Sequence, residues 1–197
     1  MGSRTIADRS NPELTAADRA ALLALARSAI AAALVGDPAP EVPDVPGAHV
    51  RRGAFVTLEE KREKRDAALR GCIGRVAGDR PLGDVVRTVA VSAAVDDPRF
   101  PAVAPEELPE LRIEISVLSE PSSFEPRDPA RLVIGRDGLL VRRGAALGVL
   151  LPQVATEHGL SPEAFLAAAC RKAGFGAHAW REPDTQVLTF QADVFSE

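Results

Sequence analysis

Tyrosine is absent from the 197 residues, tryptophan occurs once, and aromatic residues make up only 4% of the chain. Without aromatic rings interleaved among basic residues there are no stacking platforms of the kind that hold single-stranded nucleic acid. Bulk charge gives no help, because the net −4 draws the protein to neither nucleic acid nor an anionic membrane. No apolar run approaches the roughly 18 residues of a membrane span. The N-terminus lacks the basic patch, apolar stretch and cleavage site of a signal peptide, so the expected location is cytoplasmic, with no membrane contact.

Cysteine is as scarce. Cys72 and Cys170 are too few and too far apart for a disulfide framework, and a reducing compartment keeps both as thiols. The three histidines, His49, His158 and His178, show no His-x-x-x-His spacing, and there is no Cys-x-x-Cys, so no resident metal or cofactor is expected. Dinucleotide-binding, Walker, nucleophile-elbow and zincin fingerprints are missing as well. Lysine is limited to Lys61, Lys64 and Lys172, leaving 21 of the 24 basic residues as arginine. With the alanine excess, this usage is what a GC-rich genome imposes, and it suggests a bacterial source.

What is present is a 46% hydrophobic chain with alternating helical and strand periodicities. Thr15-Ala16-Ala17-Asp18 is a helix start, followed by Leu22, Leu25, Ala26, Ala29, Ile30 and Ala33 on one face until Gly36. Prolines 38, 40, 43 and 46 make residues 37–47 an extended connector within the domain. Residues 1–14 are expected to be peripheral. Strands are predicted around Phe55–Leu58 and Leu69–Val76, joined by the balanced charged stretch Glu59–Asp66.

Helical spacing returns from Leu82 to Val95. Leu111, Ile113, Ile115 and Val117 then alternate with Arg112, Glu114 and Ser116, which turns Glu114 away from the core. Leu132–Ile134 and Leu139–Val141 flank an Asp-Gly turn and read as a hairpin. Ala146–Leu151 offers another strand, and Pro152 opens a short helix. Ser161 and Pro162 start a further helix that ends at Gly174, and Leu188 to Val194 form a last strand. Helices mixed with hairpin-linked, mostly antiparallel strands specify an α+β fold.

Chemistry concentrates at Leu69-Arg70-Gly71-Cys72-Ile73-Gly74. Gly71 and Gly74 leave the backbone bare around the Cys72 sulfur. Two readings stand: a small buried thiol in a glycine-bent strand, or a thiolate favoured by a neighbouring cation. Alternation puts Arg70 on the Cys72 face. Cys170 shares a helical face with Phe165, Leu166 and Ala169, a packing pattern. Arg99, stiffened by flanking Pro98 and Phe100, either clamps an anion or forms an ion pair with Asp97 or Glu114. Gln153 and Glu157 share one helix face by their i, i+4 spacing.

The hexapeptide closely resembles the AMMECR domain family. So do Asp97-Pro98-Arg99-Phe100-Pro101, Ile113 to Ser119, Leu150 to Ala155, Phe165-Leu166, Cys170 to Gly174, Trp180 and Phe190 to Phe195. The resemblance covers about residues 15–195 and implies one domain with helices flanking mostly antiparallel sheets, in a larger and a smaller lobe with a cleft between them. It brings no agreed activity.

Prokaryotic relatives are often encoded beside, or fused to, Memo-type and radical-SAM proteins, which implies such a partner. Carried over position by position, Cys72, Arg70 and Glu114 are the candidate catalytic residues. Gly71, Gly74, Arg99, Ser116 and Gln153 are the candidate substrate-binding residues. The expected function is an enzyme or enzyme component centred on the thiol. A non-catalytic module that docks such a partner is the alternative, and regulatory nucleic-acid binding is disfavoured by the acidic balance.

Overall fold

A computed structural model describes residues 13–61 and 68–197. The first lobe begins with helix α1 (Ala16–Val35). The Thr15 hydroxyl accepts the Asp18 N–H at 3.1 Å, the Asp18 carboxylate accepts the Thr15 N–H at 2.9 Å, and Gly36 ends the helix at φ 77°. This reciprocal cap satisfies donors that the first helical turn leaves free. The other Asp18 oxygen accepts Gly47 N–H at 2.8 Å and pins the proline-rich connector to the helix. That connector is not extended throughout, because Pro46–His49 form a one-turn helix, α2, with proline at its first position.

Helix α3 (Leu82–Val95) packs beside α1, and both cover one face of an antiparallel sheet. Its strands are β1 (Ala54–Glu60), β2 (Leu69–Arg75), β3 (Leu111–Leu118) and β8 (Ala192–Ser196), in the order β2-β1-β3-β8. Val56 and Leu58 of β1 and Ile113, Ile115 and Val117 of β3 meet Leu22, Ile30, Val86 and Ala90 in a core with essentially no solvent access. Each such branched side chain contributes about 1.5–3 kcal/mol by burial. Of the segment expected to be peripheral, Leu14 joins this core, Glu13 is exposed, and residues 1–12 lie outside the described residues, as do residues 62–67. Glu59 and Glu60 belong to β1 rather than to a connection.

The second lobe holds β4 (Ser122–Ser123), β5 (Gly138–Arg143), β6 (Ala146–Leu150) and β7 (Gln186–Phe190), antiparallel in the order β4-β7-β5-β6. Helices α4 (Pro152–Glu157) and α5 (Pro162–Lys172) belong to the same lobe. Ser161 caps α5 as expected, and Phe165, Leu166, Ala169 and Cys170 pack on Leu139 and Val141. Cys170 and Trp180 are core residues, and both cysteines are free thiols.

Two strand expectations fail here. Leu132–Ile134 is not the partner of β5, because Asp137 accepts the Val133 N–H at 2.9 Å and closes a turn through Gly135 at φ 83°. The hairpin is instead β5–β6, turning at Gly144. The single strand predicted over 188–194 is two strands in different sheets. The break falls at Gln191, whose N–H is accepted by the Ser119 hydroxyl at 2.9 Å and whose carbonyl accepts the Ser119 N–H at 2.8 Å.

The two sheets meet through a small apolar cluster of Leu118, Leu140 and Phe190, with Phe55, Val76, Val149, Leu151 and Leu188 around it. This cluster joins the lobes beside the Leu118 end of the first sheet, whose polar face runs on from Ser116 to Glu114, Thr57 and Cys72.

Candidate functional site

Strand register arranges that polar face in rows. Gly74, Phe55, Ser116 and Val194 form one row across β2, β1, β3 and β8, and Cys72, Thr57, Glu114 and Ser196 form the next. Glu59 and Arg112 stand opposite each other beyond these, with their charges 3.7 Å apart. Burial falls along the face, from Ser116 at 1% exposed to the half-buried Glu114, Thr57 and Cys72.

Cys72 is held along the outer edge of β2. Its N–H is accepted by Asp97 at 2.8 Å, and its carbonyl accepts from Arg99 Nη2 at 3.2 Å. Both backbone groups thus point away from β1, which makes Cys72 and Thr57 a non-hydrogen-bonded pair, the kind whose side chains stand closest. The Thr57 hydroxyl donates to the Cys72 sulfur at 3.4 Å. Asp97 also accepts from Arg99 N–H, Nε and Nη2 at 3.1, 2.9 and 2.6 Å, so the Asp97–Pro101 loop caps the edge strand at the cysteine. The Arg99 guanidinium holds the Asp97 carboxyl far below the usual carboxylate range. Of the two partners the sequence offered Arg99, the structure selects Asp97.

Arg70 does not share the Cys72 face. Register slips by one residue at Leu58/Glu59, so that Leu69, not Arg70, pairs with Glu59. Such a bulge redirects the extra side chain. Arg70 turns to the 101–107 loop, where Nε and Nη2 bind Glu107 at 2.8 and 3.1 Å and Nη1 binds the Pro101 carbonyl at 2.9 Å. Gly71 faces α3, where a Cβ would stand 2.1 Å from the Ala93 carbonyl oxygen, and at Gly74 the Phe55 ring occupies that space. Both glycines thus serve close packing.

Charges of the second lobe act on this face. Lys172, at the end of α5, is open to solvent on one side, but surrounding protein lowers its ammonium below the ordinary value. The charges it feels are those of Cys72, which holds it up, and Arg99, which pushes it down. Glu114 is pushed above the usual carboxylate range, first by burial and then by the negative charges of Glu59 and of Glu157 on α4. Gln153, half-buried, stands one turn before Glu157 on the same face of α4. The buried Ser116 hydroxyl has no hydrogen-bond partner among the described residues.

Of the predicted residues, Cys72, Glu114, Ser116, Gly74 and Arg99 lie on this face or at its β2 edge, Gln153 stands apart on α4, Arg70 is tied to the 101–107 loop and Gly71 packs on α3. Thr57 and Lys172 were missed. Thr57 was legible in the alternation of β1 against Val56 and Leu58, whereas nothing local to Lys172 in the sequence connects it with Cys72. A recess of about 1640 Å³ at the Leu118 end, lined among others by Arg19, Arg51, Arg136 and Gln191, contains none of the predicted residues.

Glu114 gives a pH-dependent expectation. Its folded pKa is raised, so its contribution to stability is full below the unfolded value of about 4.3 and is lost as pH climbs through the folded value. Glu114→Gln removes that loss. Urea midpoints are expected to be higher for the variant than for wild type at pH 8 and to converge at pH 4.

The AMMECR1 family model matches residues 23–195. A protein of Methanothermobacter thermautotrophicus is 46% identical over 182 residues, covering 89% of this chain and 92% of its own. One from Thermofilum pendens is 41% identical over 199 residues, covering 93% and 92%. The crystal structure of an uncharacterized protein from Pyrococcus horikoshii superposes with a TM-score of 0.83 at 41% identity, covering 89% of each chain. These relatives are archaeal, and the α+β architecture is common to the last of them and this chain.

Proposed function

The chain belongs to the AMMECR1 family, and from that premise we propose that it is an enzyme, or the catalytic component of one, working through the Cys72 thiol in the cleft between its lobes. The observation that carries this is the Thr57 hydroxyl aimed at the Cys72 sulfur at 3.4 Å, in one row with Glu114. A hydroxyl donor, the Lys172 ammonium and the Arg99 guanidinium are groups that stabilise negative charge on sulfur, the form that attacks electrophiles. Glu114, whose raised pKa favours the protonated carboxyl, is suited to deliver a proton to a group leaving on the β3 side. The docking alternative has less support at the hexapeptide, because Arg70 is buried and bound to Glu107, and Leu69 is left as its exposed apolar side chain.

Iodoacetamide tests the proposal on the native full-length chain, with modified sites mapped by mass spectrometry. Cys72 is expected to be alkylated at neutral pH while Cys170 stays unmodified, since Cys170 is fully buried and burial pushes its thiol up. Substituting Thr57→Val is expected to slow the Cys72 reaction severalfold. A native chain in which Cys72 is as inert as Cys170, both reacting only in urea, would overturn the proposal.

A further inference from the structure

Charges of both signs stand around the Cys72 row: Lys172 and the Arg99–Asp97 pair toward β2, and Glu114, Glu157 and the Glu59–Arg112 pair toward β3. Arg99 spends Nε and Nη2 on Asp97 and the Cys72 carbonyl, but Nη1 takes no hydrogen bond among the described residues, and the side chain is 52% exposed. Lys172 likewise has neither hydrogen bond nor ion pair among the described residues, and its charged neighbours are Cys72 and Arg99. Two cations with spare donors therefore act on the surroundings of Cys72, Arg99 through its bond to the Cys72 carbonyl and Lys172 through its charge, and they come from different lobes. An ammonium and a guanidinium together are a receptor for a small oxyanion.

Resting on the thiol reading above, we propose that the electrophile attacked by Cys72 carries an anionic group, a carboxylate or a phosphate, next to its reacting carbon, received by Lys172 and Arg99. The sulfur electron pair forms the new S–C bond, the pair displaced from carbon departs with the leaving group, and the thiol proton passes to water. An anion beside a thiolate is normally repelled. The two cations reverse this, and they also select against neutral analogues of the same shape.

Iodoacetate and iodoacetamide share a leaving group and differ in charge, so the ratio of their rates at Cys72 reads the effect, normalised to the ratio for N-acetylcysteine in the same buffer. The normalised ratio is expected to be about tenfold above one at low salt and to fall toward one in 0.5 M NaCl, where charges are screened within a few ångströms. Lys172→Gln is expected to lower it severalfold at low salt. The wild-type salt series keeps the test independent of how that variant folds. At equal ionic strength, stronger protection against iodoacetate by inorganic phosphate than by acetate assigns the anion as a phosphate, and equal or weaker protection assigns it as a carboxylate. A normalised ratio at or below one, with both reagents still alkylating Cys72, overturns this inference alone. Failure of both reagents overturns the thiol reading beneath it.

Discussion

Replacing Gly71 by alanine is expected to destabilise the protein by about 3 kcal/mol, at the upper end of what overpacking costs, and to lower the urea midpoint by about 1–2 M. The added methyl group would meet the Ala93 carbonyl oxygen at 2.1 Å. That oxygen is helix backbone and cannot rotate aside, so β2 must lift from α3 or α3 must move. Removing a glycine from an extended strand should by itself stabilise by about 0.4–1 kcal/mol through the unfolded chain, which the clash outweighs. Gly74→Ala makes a useful contrast. There the obstacle is the Phe55 ring, a side chain that can turn, so a smaller loss is expected. Equal losses at the two positions would show that close approach of α3 to the strand is not what Gly71 provides.

Asp97→Ala is expected to cost about 3 kcal/mol at pH 7, because it strands the Cys72 N–H and removes charge-assisted bonds to Arg99. The Asp97 side chain is only 3% exposed, whereas Arg99 is half in water, and that screening keeps the cost below that of a fully buried pair. pH separates the contributions. The Asp97 pKa is depressed in the folded state, so its stabilisation is present above the unfolded value of about 3.9 and is lost as pH falls through the folded value. Asp97→Asn cannot lose it twice. The gap between wild type and Asp97→Asn in urea midpoint should therefore narrow steadily below about pH 4. A gap independent of pH would assign the effect to packing rather than to charge.

Periodicity made the first lobe legible. Thr15 with Asp18, the apolar stripe of α1, the spacing of α3 and the alternation of β3 each matched a single local solution. Glu114 and Ser116 could be placed on the polar face from that alternation alone. Arg70 could not, because a bulge has no signature at one residue and a slip of one position exchanges the faces. In the second lobe, Leu132–Ile134 looks like a strand, but the carboxylate of Asp137, four residues on, competes for its backbone. The alternation from Leu188 to Val194 continues through Gln191, so nothing in it marks where the chain leaves one sheet for the other. Lys172 was beyond sequence reasoning for a different cause, since its neighbourhood to Cys72 exists only once the lobes are stacked.

The position of β8 bears on how the protein is made. Ala192 to Ser196 complete the sheet that holds Cys72, yet everything between Leu118 and Gln191 belongs to the other lobe, so the second lobe is an insertion within the first. During synthesis the inserted lobe can close on its own contiguous segment. The earlier lobe, although its two long helices and three of its strands have already emerged, must wait with the β3 edge unpaired until β8 follows. That open edge is a pairing hazard for a nascent chain. The order in which ribosomes release the chain thus runs opposite to the order in which its two sheets are finished.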